Sequence, residues 1–349
     1  MPISDSEKLR QWFLKEKREF PWRKNLSPYR VWISEIMLQQ TRASVVVDYF
    51  ERWMERYPDI ESLAKASEEE LIKMWEGLGY YNRVRNIRKA AIYFLTHHQG
   101  QIPDSKDALL KAPGLGSYTV GAILSFAFQQ KEPAVDANVL RVMARYHGIK
   151  EEISSMKVQK KIYNLTSTFL PLVHPEQIME GLIELGANIC GRSPQCFRCP
   201  LKGGCVGFTL GIADALPLKK KRKEAVHLFK DVFVIRCGVY FLIHRKPLGE
   251  VLGGLCEFLS IERSDTSQDF IKKLIPHAIY NKDLDRQQYG YTHHVVELFP
   301  SLWETISMLE MPECKWVHFK ELLELPFTSG HKRILTTILK ENFYECPTY

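Results

Sequence analysis

No stretch of this sequence is apolar for long enough to span a membrane. The first residues, MPISDSEKLRQWF, contain no apolar core, so no signal peptide is expected. The most apolar run, VFVIRCGVYFLI, is broken by Arg236 and Gly238, which predicts a β-hairpin and not a membrane span. No tandem repeat is visible, which argues against a solenoid. Eight cysteines in 349 residues, with no export signal expected, do not make a disulfide framework. Charge is also short of decisive: a net +7 is compatible with an acidic partner without establishing one. What is present is a globular composition, 45% hydrophobic and 26% charged, in a chain long enough for two domains.

From Ser6 to about Gly211 the pattern is helical. Ser27-Pro28 reads as an N-cap followed by proline at the first helical position, where its missing N–H costs nothing. Ser67 and Glu70 have capping-box spacing. Tyr57-Pro58, Gly77-Leu78-Gly79, Ile102-Pro103 and Ala112-Pro113-Gly114 punctuate the helices. The run Lys219-Lys220-Lys221-Arg222-Lys223 reads as a linker; a solvated connector and a DNA clamp are both open from its charge. Beyond it lie β-rich runs, HLFKDVFVIR and GVYFLIHR. The expected organisation is a helical domain over 1–212, a basic linker over 213–226 and an α+β domain over 227–349.

Two motifs carry chemistry. In LLKAPGLGSYTVGAI, Gly114 and Gly116 permit positive φ and close backbone approach, and Ser117 opens a helix whose first N–H groups lack intrahelical partners. A helix start behind a bare glycine turn suits a phosphate, although an ordinary helical hairpin has the same signature. Leu115 is expected to fill the space between the two helices. Further on, Cys190, Cys196, Cys199 and Cys205 crowd four thiols into one short segment, spacing suited to a metal centre. Zinc and iron–sulfur are not separated by spacing alone. Cys237, Cys256, Cys314 and Cys346 are scattered and read as small buried residues or free thiols.

Glu35 sits in Val31-Trp32-Ile33-Ser34-Glu35-Ile36-Met37-Leu38, a helix apolar on nearly every side. A carboxyl buried there has its pKa raised by desolvation and becomes a proton donor; the alternative is a surface glutamate at a helix edge. Asp136 opens DANVLRVMA, where an N-cap accounts for an aspartate without any catalysis. Tyr118 has a packing role as its plain alternative, and so do Tyr80 and Tyr81. Arg83, Arg85 and Arg88 read equally as phosphate contacts or as a solvated helix face.

The hairpin, the segment Val135 to Arg141 and the four-cysteine loop together resemble the endonuclease III superfamily of DNA glycosylases. Within it, SEIMLQQTRASVV (Ser34 to Val46), WEGLGYYNR and ELGANIC are very similar to the adenine DNA glycosylases. The resemblance spans almost the whole chain and is densest up to Cys205. It implies a mainly α helix-hairpin-helix fold, a six-helix barrel beside a [4Fe–4S] helical domain, with the cluster on the loop 190–205. The first cysteine gap here, Gly191 to Gln195, is one residue shorter than the family's usual gap.

The resemblance also implies roles. Glu35 matches the acid that protonates adenine at N7, a contribution of typically ~10²–10⁴-fold. Asp136 matches the carboxylate that faces the oxocarbenium-like sugar, and Asn138 the residue that orients water and carboxylates. Tyr118 stands where strand-cleaving relatives place a Schiff-base lysine; a phenol forms no imine, so base removal without strand cleavage is implied. Trp22, Arg23, Leu38 and Glu180 match positions lining the adenine pocket. Gln40 and the pair Tyr80-Tyr81 match the wedge that fills the gap left by a flipped base. Gly114, Gly116 and Ser117 match the hairpin that holds the DNA backbone.

The C-terminal part resembles a Nudix-like fold through PLGEVLGGLCEF, with Cys256 where the family has tryptophan. The continuation LSIERSDTSQDFIKKL lacks the acidic run that binds Mg²⁺, so lesion recognition and not nucleotide hydrolysis is implied. Tyr291-Thr292-His293 is nearest to the family's 8-oxoguanine-reading loop, with an exposed turn as its plain alternative. The expectation is a monomeric, monofunctional, cytoplasmic and nucleoid-associated glycosylase, with no membrane partner, acting on adenine opposite 8-oxoguanine or guanine in duplex DNA. The competing readings are a bifunctional glycosylase for oxidised pyrimidines, a non-catalytic lesion-binding protein and a Nudix hydrolase.

Overall fold

The computed structural model describes residues 3–220, 225–247, 250–291 and 293–340. Contacts divide the chain into two units, the first made of Met1–Glu68 and Asn82–Lys221, the second of Glu69–Tyr81 and Arg222–Tyr349. Along the first half run α1 (Asp5–Glu16), α2 (Pro28–Leu38), α3 (Ala43–Arg56), α4 (Ile60–Lys65), α5 (Glu68–Met74), α6 (Asn82–His98), α7 (Lys106–Leu110) and α8 (Ser117–Ala122). A π-helical turn, Ile123–Ala127, follows, then α9 (Ala137–Tyr146), α10 (Met156–Phe169), α11 (Pro175–Asn188) and α12 (Val206–Thr209).

The first unit is built on α2. The Ser27 hydroxyl accepts from the Arg30 N–H at 3.2 Å, and Pro28 occupies the first turn, so the helix starts where the sequence predicts. Tyr29 and Val31 to Met37 are all buried, Glu35 among them. Trp32 meets Phe94 of α6 edge-on at 5.3 Å. Three carbonyls at the end of α2, those of Ile36, Met37 and Gln39, accept from Arg83 Nη1 at 2.8, 3.1 and 2.6 Å. These contacts satisfy orphaned helix-end carbonyls. Arg85 pairs with Glu68 at 2.8 Å, and Arg88 donates to the Ala66 carbonyl at 2.8 Å. All three arginines therefore have contacts within the protein.

The second unit has a seven-stranded sheet: β1 (Val226–Cys237), β2 (Tyr240–Arg245), β3 (Cys256–Glu262), β4 (Ile279–Asp283), β5 (Gln287–Tyr291), β6 (His294–Glu304) and β7 (Cys314–His318). Its order is β4-β6-β1-β3-β2-β7, with β5 also on β6. Among the described residues, β1 with β6 is the one parallel pairing between these strands. The hairpin read around Gly238 is present, with Arg236 opposite Phe241 and Cys237 opposite Tyr240. Alternation along β1 sends Val232 and Val234 to one face and Phe233 and Ile235 to the other. Both faces are buried, one under α15 (Ser329–Lys340), the other under α13 (Ser267–Leu274); the short α14 is Phe319–Leu322. α13 carries Asp269 as its one acid.

Two boundaries differ from the sequence reading. Part of the expected linker is tied into the first unit: Leu216 is buried, its carbonyl accepts from Arg145 Nε at 2.8 Å, and the Leu218 carbonyl accepts from the Ile153 N–H. The segment Glu69–Tyr81 belongs to the second unit, where Glu76 accepts from the Phe327 N–H at 3.1 Å and pairs with Lys332. Among the described residues, no helix is long and apolar enough to cross a membrane.

Candidate active site

A cavity of about 980 Å³ opens in the first unit. Its lining brings together Glu35, Leu38 and Gln40 from α2 and the turn after it, Tyr118 from α8, Asp136 and Asn138 from the start of α9, and Glu180 from α11. Trp22 and Arg23 come from the turn before α2. Residues separated by more than a hundred positions thus converge on one hole.

Glu35 is 7% exposed. Burial pushes its carboxyl up to about 7, with the nearby charges of Asp136 and Glu180 adding to the effect. One donor opposes this: the Tyr118 hydroxyl lies 2.5 Å from Oε2. The hairpin aims that phenol. Gly114 turns at φ +77°, and a Cβ there would stand 2.5 Å from the Asn86 Cβ, so the close crossing over α6 admits only glycine. Gly121, one turn beyond Tyr118, serves a different approach: a Cβ would fall 2.2 Å from the Pro133 carbonyl. That contact seats α8 against the loop leading into Asp136.

Asp136 both caps and faces the cavity. Its Oδ1 accepts from the Val139 N–H at 2.8 Å, and its Oδ2 accepts from Asn138 Nδ2 at 2.7 Å. Burial raises its pKa, and these donors oppose the rise. The N-cap reading and the pocket placement therefore hold together, one oxygen for each. Asn138 is fixed in turn by Arg141 Nη2 on its Oδ1 at 2.8 Å, while Arg141 Nε reaches the Cys190 carbonyl at 2.7 Å. A continuous chain of hydrogen bonds thus runs from the cysteine loop to Asp136. Arg141 stood inside the quoted motif without a role; nothing in its spacing reveals a partner 49 residues away.

Cys190, Cys196, Cys199 and Cys205 line one small cavity with Arg145 at its wall. All four are free thiols. Arg145 is 2% exposed, and Nη1 lies 3.3 Å from Cys190 Sγ and 2.6 Å from the Gly191 carbonyl. Its other contacts are carbonyls, so among the described residues no carboxylate balances this buried charge. Four thiolates holding a metal group of net negative charge would supply that balance, and the donor set fits such a group. Among the described residues, no three His, Cys, Asp or Glu side chains are placed to hold a single ion.

Other expected residues are placed as follows. Gln40 is exposed at φ +58°. Tyr80 is 49% exposed at φ +51°, whereas Tyr81 is buried core. Leu115 is buried. Gly116 precedes α8 with open space where a Cβ would stand, and Ser117 is exposed. Thr292 lies outside the described residues. His293 packs its ring 4.2 Å from that of His294, which stacks on Tyr291 at 5.0 Å.

Residues 33–167 match the family described as HhH-GPD superfamily base excision DNA repair protein. The adenine DNA glycosylase of Buchnera aphidicola subsp. Acyrthosiphon pisum is 36% identical over 299 residues, covering 85% of each chain. That of Mus musculus is 39% identical over 223 residues, 60% of this chain and 43% of the mouse one. Among solved structures, a thermostable thymine-DNA glycosylase superposes with a TM-score of 0.54 at 28% identity, covering 59% of this chain and 95% of its own. An endonuclease III–DNA complex shares the fold, with a TM-score of 0.50 at 22% identity over 60% of this chain and 99% of its own. With its pocket carboxylates and cysteine loop on this helical frame, the chain belongs to the adenine DNA glycosylase family.

Proposed function

We propose that this protein excises adenine from duplex DNA where it lies opposite 8-oxoguanine or guanine, hydrolysing the N-glycosidic bond and leaving an abasic site. The observation that carries this reading is Glu35, a carboxyl near pKa 7 in the same cavity as Asp136. The adenine leaves the base stack and enters the cavity. Glu35 gives its proton to N7, the C1′–N9 bond breaks, and its electron pair stays with the base. Asp136 faces the cationic sugar, held by Asn138, until water adds at C1′ and gives up a proton to a carboxylate. Tyr118 orients Glu35 and offers no amine, so no strand cleavage follows.

Arg23, Glu180, Trp22 and Leu38 form the base-binding wall. Gly114, Gly116 and Ser117 hold a backbone phosphate, and Gln40 and Tyr80 enter the gap left by the flipped base. Thr292 and His293 read the opposing 8-oxoguanine. Cys190, Cys196, Cys199 and Cys205 would hold a [4Fe–4S] cluster; four free thiols lining one cavity beside the buried Arg145 support this reading. That group, when bound, ties the cysteine segment into one rigid element. The double-stranded lesion DNA is the partner, met by a monomer in the cytoplasm at the nucleoid.

The test is a labelled duplex with one adenine opposite 8-oxoguanine, incubated with iron-loaded protein and split with and without hot alkali. Breaks only after alkali are expected. Breaks without alkali would establish a lyase, and a bound but uncut duplex a lesion sensor without catalysis.

A further inference from the structure

Glu184 lies one helical turn beyond Glu180 on α11, and its side chain is 1% exposed. Three donors converge on it: Arg18 Nε at 2.5 Å and Asn188 Nδ2 at 2.8 Å on Oε1, and Arg23 Nη2 at 3.0 Å on Oε2. Burial raises its pKa, but the two guanidinium groups win and hold it below the ordinary glutamate range. Arg23 is thereby shared. Its Nε goes to Glu180 Oε2 at 2.9 Å, its Nη2 to Glu184, and its Nη1 to the Arg18 carbonyl at 2.6 Å. The same guanidinium lies over the rings of Phe13 and Phe20, and Phe20 stacks on Trp22 at 4.6 Å.

The consequence is a count of oxygens. Glu180 receives one N–H from Arg23, on Oε2, and among the described residues its Oε1 accepts nothing. An arginine free to choose prefers to set two parallel N–H groups on one carboxylate. Here Glu184 holds the second arm away, so one oxygen of a pocket carboxylate stays available.

We propose that Glu184 is a specificity-determining positioning residue: by holding Nη2 of Arg23, it keeps Glu180 Oε1 free to accept from the 6-amino group of the bound base. This rests on the adenine-excision reading above. Glu184 itself touches neither base nor sugar. With glutamine at 184 the charge that holds Nη2 is gone and one amide oxygen is left for Arg18 and Arg23 together, so Arg23 turns its second arm to the full charge of Glu180 and the acceptor for the amino group is lost. Bases bearing the amino group then lose their advantage over the same ring without it.

Single-turnover excision of adenine and of purine, which lacks the 6-amino group, each opposite 8-oxoguanine, tests this on the iron-loaded full chain. The adenine-to-purine rate ratio is expected to fall by about tenfold or more in Glu184→Gln, the size of a lost charge-assisted hydrogen bond. Intrinsic leaving ability cancels in the comparison with wild type. Glu184→Asp keeps the charge but shortens its reach toward Arg18 and toward Nη2 of Arg23, and lowers the ratio by a smaller factor; it decides the matter if the glutamine variant does not fold. Equal loss on both bases, leaving the ratio unchanged, would make Glu184 a merely structural anchor and overturn the inference. A wild type that removes neither base overturns the excision reading itself.

Discussion

Replacing Tyr118 by phenylalanine removes one hydroxyl and moves one pKa. That hydroxyl donates to Glu35 Oε2 at 2.5 Å and opposes the rise that burial imposes on the carboxyl. A hydrogen bond to a charged group contributes about 1.5–3 kcal/mol. At 1.36 kcal/mol per pKa unit, its loss raises Glu35 by about 1–2 units from its value of about 7. A general acid works while protonated, so the alkaline limb of the rate profile moves up by the same amount. At pH 8 about a tenth of the wild-type carboxyl carries its proton, against about half or more in the variant. The plateau falls, because the phenol also orients the acid, but the limb's position is independent of the plateau's height. Single-turnover adenine excision between pH 5.5 and 9.5 reads both. A limb that stays put or moves down would refute Tyr118 as the donor to a protonating Glu35.

Glu35→Gln retains duplex binding and loses excision, read by gel shift beside the alkali assay. It also changes stability with a definite sign. The folded pKa of Glu35, about 7, exceeds its ordinary 4.5, so its contribution is present below 4.5 and lost as pH rises through 7. The glutamine variant therefore gains on wild type by about 3 kcal/mol between pH 4.5 and 8 in urea unfolding, and a flat difference refutes the shift. Asp136→Asn separates cap from catalysis: the amide oxygen still caps Val139 although Asn138 loses its acceptor, so Tm falls slightly while excision falls by about 10²-fold or more, and retained activity returns Asp136 to capping alone. Arg141→Gln breaks the link from the Cys190 carbonyl to Asn138; excision falls at least about tenfold while iron content holds, because Arg145 still meets that carbonyl at 3.1 Å. Gly121→Ala sets a methyl against the Pro133 carbonyl and costs about 1–3 kcal/mol or more, seen as a lower urea midpoint.

The burial of Glu35 was legible because its neighbours are apolar at nearly every helical phase, and the Asp136 cap because residue type and position coincide. The arginines of α6 were not. Helical spacing gives the face a side chain leaves from, not what stands opposite, so Arg83 reads equally as a phosphate contact or a solvated side chain while it satisfies carbonyls of α2. The same limit hid Arg141, Arg145 and Glu184, each of which has partners 45 or more residues away in sequence. The π-helical turn after α8 left no local signal either, since Ile123 to Ala127 are good members of an ordinary helix.

Under the proposed mechanism, carboxylates of nearly equal intrinsic acidity take opposite tasks in one pocket. Burial raises Glu35, Asp136 and Glu180 alike, so burial does not choose between them. The donors do. Asp136 receives an amide N–H and the Asn138 amide, and Glu180 receives Arg23, all favouring the charged form. Glu35 receives a single phenol, and the charges of the other two carboxylates push its proton affinity higher. The acid is thus made chiefly by its own burial, with its neighbours' anions adding to the rise and Tyr118 and Arg23 opposing it. Any change that neutralises Asp136 or Glu180 must therefore lower the alkaline limb set by Glu35, even where the altered side chain never touches it.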